Sequence, residues 1–176
     1  MSLNERYDWR GTRRRARITN YDDCARRALS IFEQSLPADT RPRDAIDAAL
    51  AFVAGGKRTG ALRRSGWAAY RAAQEAASPA TVEAARSASH AAGVALLHPL
   101  ASAHQVKHIL GAAAHAARAE ELTSGEDQPA TAGTLEWARH HAPTAVTAVL
   151  GHLPAATPRG RRVGEFIRDL DAALRA

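Results

Sequence analysis

His104 and His108 stand four residues apart. That spacing puts two imidazoles on one face of a helix and makes half of a zinc site. The pair lacks the Glu that follows the first His in a zinc-protease helix. His115 falls on the same side of a helical wheel, but it lies a further two turns on. That is roughly 10 Å along the axis, too far to share an ion with both. The better reading is that these imidazoles pack, hydrogen-bond or meet a partner on the face opposite Val106, Ile109 and Leu110. Metal at His104 and His108 is the weaker alternative, and Cys24 or His98 could add ligands only through the fold. Cys24 is the only cysteine, so no intrachain disulfide forms. On an apolar stripe it reads as a small buried hydrophobe and not as a nucleophile. The chain contains no glycine-rich phosphate loop, dinucleotide fingerprint or Ser-centred elbow. No catalytic residue and no cofactor-binding residue emerges, and the chain reads as a non-enzyme without a cofactor.

The elements that position these residues are helices. Alanine makes up close to a quarter of the 176 residues, and there are three each of Trp, Tyr and Phe. Ala is the best helix former, with Leu, Arg and Glu close behind, and β-branched and aromatic residues are scarce. The expected fold is all-α: one compact bundle of about seven or eight helices over residues 20–176.

Asn20–Asp22 offers caps for a first helix with Cys24, Ala28, Ile31 and Phe32 on one face. Asp39 or Thr40 opens a second, with Pro42 in its first turn. Its stripe is Ile46, Ala49, Leu50 and Val53, and Gly55-Gly56 closes it. Arg43 and Asp47 form an i,i+4 surface pair. A third helix, about 59–77, shows a small-residue face with Leu62, Gly66, Ala69, Tyr70 and Ala73. Ser78-Pro79 opens a fourth, with Val82, Ala85, Ser89, Ala92 and Leu96, and Pro99 interrupts the chain. The fifth, about 100–122, is the most apolar and should be central. After the loop at Ser124–Asp127, shorter helices fit 131–141, 143–152 and 160–175. The last carries Val163, Ile167, Leu170 and Leu174.

The net charge of +6 is uneven. Residues 1–19 hold six Arg against Glu5 and Asp8, a net of +4, which leaves +2 for the rest. This N-terminal stretch reads as a flexible basic arm. Arg13, Arg14, Arg15 and Arg17 can attract polyanions, nucleic acid included, weakly and without sequence preference, and Tyr7 and Trp9 lie interleaved with the Arg residues. The nearly neutral body weakens any inference from the overall charge to nucleic-acid binding. No secretion signal core and no membrane-length apolar run is present. The expectation is a cytoplasmic protein that does not engage a membrane.

Four segments occur in a telling order. They are Asp23-Cys24-Ala25-Arg26-Arg27 running to Ile31-Phe32-Glu33, Arg41-Pro42-Arg43-Asp44-Ala45-Ile46-Asp47-Ala48-Ala49, His104-Gln105-Val106-Lys107-His108-Ile109-Leu110-Gly111-Ala112-Ala113, and Glu136-Trp137 followed by Ala142-Pro143. Together they resemble a bacterial family of putative immunity proteins, the immunity-five-like domain of polymorphic toxin systems. The resemblance covers roughly residues 21–152. The chain departs from the pattern at Phe52, where a Trp is expected, and at His115, where a Tyr is expected.

The resemblance implies a protein that binds and neutralises a cognate protein toxin by contact, without catalysis. Candidate partner-binding residues are Trp67, Trp137, His104 and His108. The alternative reading is a helical nucleic-acid-binding or regulatory module acting through the Arg-rich arm. Either is compatible with a homo-oligomer.

Overall fold

A computed structural model describes residues 12–96, 102–124, 133–157 and 160–176, with side chains from residue 22 onward. Among the described residues there are eight helices and no strand. They are α1 (Thr12–Ser35), α2 (Arg41–Val53), α3 (Gly60–Glu75), α4 (Pro79–Val94), α5 (Ala103–Ser124), α6 (Thr134–His141), α7 (Thr144–Leu150) and α8 (Arg162–Arg175). The bundle is the all-α architecture that composition predicts.

Helix α5 is its axis. It packs against α1, α4, α6 and α8, and Val106, Ile109, Leu110 and Ala112 through Ala114 are fully buried. The small residues of its neighbours make this possible, because helices faced with Ala and Gly approach closely. A Cβ on Gly66 of α3 would stand 3.3 Å from the Cβ of Ala92 on α4. At that closeness Ser89 Oγ donates to the Gly66 carbonyl at 2.9 Å and Ser87 Oγ to the Ala112 carbonyl at 2.7 Å. These bonds satisfy hydroxyls that burial alone would penalise.

The expected stripes are recovered in most positions. Ile46, Leu62, Val106, Ile109, Leu110, Ile167 and Leu170 are buried, while Leu50, Val53 and Val82 are half-buried against the core. Gly55 closes α2 with φ of 116°, the left-handed conformation for which Gly is suited. At the start of α2 the Asp39 carboxylate accepts from the Arg41 backbone N–H at 3.1 Å and from its guanidinium. Arg41 also reaches Glu75, tying α2 to α3.

Three expectations are corrected. Helix α1 begins at Thr12 and not near Asn20–Asp22. Arg and Ala residues favour continuing the helix, so potential caps become interior positions. The helical part of the expected arm is therefore residues 12–19, and residues 1–11 lie outside the described residues. Arg43 does not pair with Asp47: its guanidinium makes a two-pronged contact with Glu33 of α1, both bonds at 2.7 Å. That planar fork suits a carboxylate across the helix interface better than one on its own helix. Tyr70, expected on the apolar face of α3, is 38 % exposed.

Cys24 is fully buried, and burial raises its thiol far above the usual value. It is a core residue, as its stripe predicts. Asp22 is also buried. Burial, with Asp23 adding to it, pushes its carboxyl up to about 8, and neither carboxyl oxygen has a hydrogen-bond partner among the described residues.

Candidate functional site

The paired histidines of α5 belong to a longer array. His104 and His108 meet through their Nε2 atoms at 2.9 Å, one ring donating and the other accepting. His90 of α4 continues the row, with its ring 5.8 Å from His108 and stacked 4.9 Å from His115. His115 Nδ1 then hydrogen-bonds the Glu83 carboxylate of α4. The α4 histidine bridges the two turns that separate His108 from His115 on the sequence.

Gly111 permits this arrangement. A Cβ at that position would collide with the His90 ring, so the glycine is the notch into which the imidazole fits. His90 is half-buried, and burial first, then the neighbouring His115, His108, Lys107 and Arg86, holds its basicity well below the usual histidine value. At Glu83, burial pushes the carboxyl up. The His115 hydrogen bond and the charges of His115, Arg86 and Arg118 outweigh that, and the carboxyl lies below its usual range.

Glu83, Arg86, His90, His104, Lys107, His115 and Arg118 line a cleft of about 820 Å³ between α4, α5 and the segment that leads into α8. That segment is held by Asp171 of α8, buried at 2 % exposure. Asp171 accepts from the Ala156 N–H at 2.9 Å and from Arg175 Nε at 2.7 Å, while Arg175 caps the Leu153 carbonyl at 3.0 Å. Arg162 at the cleft wall lies over the Phe166 ring at 4.4 Å and bonds Glu121 at 2.7 and 2.9 Å.

The four partner-binding candidates fall in different settings. Trp67 is 59 % exposed, edge-on to Tyr70 with ring centroids 5.8 Å apart. Tyr70 lines the cleft, so this aromatic pair stands at its rim. His104 is exposed and lines the same cleft. His108 joins it through the imidazole contact. Trp137 is apart from these: its ring packs half-buried against the core, stacked on His141 at 4.5 Å with Arg27 over it at 5.8 Å. The side chains of Arg13, Arg14, Arg15 and Arg17, and His98, lie outside the described residues.

His90, Glu83 and Gly111 are residues of the candidate site that the spacing of His104 and His108 does not reveal. The one available signal was Glu83 and His90 two turns apart on a single face of α4. Chemically the array can bind, orient and hydrogen-bond. Among the described residues no group of three or more His, Cys, Asp or Glu side chains is arranged to hold a metal ion. The Glu83–His115 pair resembles two members of a catalytic triad, but Ser89, the only Ser among the described residues of the lining, has its hydroxyl committed to Gly66. Among the described residues no helix is long and apolar enough to cross a membrane.

No curated protein and no solved structure matches the chain. The model of the Imm-5 like putative immunity protein family matches residues 18–145. That span takes in the first helix from residue 18 onward, the Arg41–Ala49 segment, the histidine helix and the Glu136-Trp137 region. It covers well over half of the chain, which therefore belongs to the Imm-5 like putative immunity protein family.

Proposed function

We propose that this protein binds a cognate protein toxin and neutralises it by direct contact, without chemistry of its own. The family match over residues 18–145 carries the reading. The structure supports it with a surface suited to such contact. Binding energy at interfaces concentrates in a few anchors, most often Trp, Tyr and Arg. Trp67 and Tyr70 are large aromatic side chains left exposed on a rigid helix, beside a cleft lined with Arg86, Arg118, Arg161 and Arg162. A rigid bundle surface needs little ordering on association, which favours affinity.

The test is co-expression with any toxin domain encoded next to the gene. Growth should be restored by the wild-type chain and restored less by Trp67→Ala. Persistent toxicity with the protein soluble and abundant overturns the proposal.

A further inference from the structure

We infer that the α4–α5 cleft is the receptor for an acidic segment of the toxin, with its carboxylates drawn to Lys107 and Arg161 and the Trp67–Tyr70 pair closing over one side. This rests on the toxin-binding reading and names the chemistry of the partner at one place on the surface.

Charge carries the argument. Among the described residues the lining contains five Lys or Arg side chains, with Glu83 as its one carboxylate. Three of the cations are already engaged: Arg86 by Glu83, Arg118 by Glu121, and Arg162 by Glu121 and Glu165. Counting Glu83, Glu121 and Glu165 against the five leaves two positive charges in excess. The two cations without a carboxylate partner among the described residues are Lys107 of α5 and Arg161 at the entry to α8. Both are exposed. They face one concave space, where low-dielectric walls concentrate the field and raise the local concentration of opposite charge.

The cleft also has the shape for a peptide. Its volume of about 820 Å³ is that of a site for several side chains, not for a single ion. His104 at the mouth adds a donor beside Lys107. The exposed Trp67 ring gives an apolar anchor where the cationic wall ends, the combination of aromatic and charged contacts found at hot spots. A basic nuclease surface or a nucleic acid fits less well. The first repels Lys107 and Arg161, and the second calls for a continuous basic stripe, which the ion pairs of Arg86, Arg118 and Arg162 interrupt.

The experiment uses the full chain and a hexaglutamate peptide as the probe. Amide resonances are followed by NMR during titration, with hexalysine as a control. The expected result is shifts confined to α4, α5, residues 156–157 and residues 160–164, with an affinity that falls as salt rises. The double variant Lys107→Glu, Arg161→Glu should bind the probe at least tenfold more weakly with an unchanged melting temperature. Arg139→Glu on α6 should bind as wild type does. Shifts scattered over the surface, an unchanged affinity of the double variant, or tighter binding of a single-stranded oligonucleotide at the same residues overturns the assignment.

Co-expression separates this inference from the reading beneath it. If the wild type protects against the toxin and the double variant protects equally, the cleft assignment fails while toxin binding stands. If the wild type does not protect, toxin binding fails, and the peptide titration still judges the cleft.

Discussion

Asp22 and His90 should give the folding stability two pH slopes of opposite sign. Asp22 is buried with its carboxyl raised from 3.8 to about 8. The folded state therefore keeps a proton that the unfolded chain has released above pH 4. Stability from this group is fully present below pH 4 and is lost as pH rises towards 8. Each pH unit in that window changes the balance by about 1.4 kcal/mol at most, so the difference between pH 4 and pH 7 is at most about 4 kcal/mol.

His90 acts in the other direction. Its folded-state basicity is depressed by burial and by the facing His115, His108, Lys107 and Arg86. Below pH 6.5 the unfolded chain takes up a proton that the folded one resists. Stability is then lost as pH falls, again by up to about 1.4 kcal/mol per unit. The wild-type profile should thus rise by about 2 kcal/mol from pH 8 to pH 6.5 and flatten below pH 6.5, where the two slopes oppose each other. Urea denaturation followed by circular dichroism, at half-unit steps from pH 4 to 8.5, measures it. Asp22→Asn should abolish the rise, and His90→Gln should turn the plateau into a continued rise on acidification. A wild-type profile that drops between pH 8 and 6.5, or an Asp22→Asn profile parallel to wild type, would refute the burial of an unpaired carboxyl at Asp22.

Other predictions follow from packing and charge. Ile109→Ala or Leu110→Ala, each fully buried on the central helix, should cost about 2–5 kcal/mol by urea titration; a loss near zero would mean that α5 is not the axis of the core. Gly111→Ala should destabilise by about 1–3 kcal/mol through its collision with His90, and His90→Ala in the same chain should recover most of that in a double-mutant cycle. Replacing Arg13, Arg14, Arg15 and Arg17 by Ser should reduce only salt-screened binding to polyanions such as heparin. Sequence-specific DNA binding that survives high salt and depends on these residues contradicts that.

Much of the helical layout was legible because periodicity and helix ends are local. Pro42, Gly55 and Pro79 mark boundaries that lie where φ restriction and the left-handed conformation put them. The start of α1 was not legible. Asn20 and Asp22 are good caps in isolation, and the residues before them favour helix enough to extend it past both. The site was half legible. His104 and His108 declare themselves by spacing on one helix. The link from His108 to His115 runs through His90, whose place depends on Gly111 in another helix, and no one-dimensional pattern pairs a ring with a missing Cβ. Tyr70 was misplaced for a related reason: a face of small residues reads as buried along its whole length, and α3 is covered on only part of it. Arg43 likewise chose Glu33 across a helix interface over Asp47 on its own helix, a choice set by tertiary geometry.

The central claim is neutralisation by stoichiometric contact, and a titration of toxin activity with purified protein tests it most directly. Activity of a toxin domain found encoded beside the gene should fall linearly and reach zero near one equivalent. The toxin released from the complex by denaturation should have an unchanged mass. Complete inactivation well below one equivalent, or a toxin recovered with altered covalent structure, would show that the protein acts as a catalyst and contradict the account.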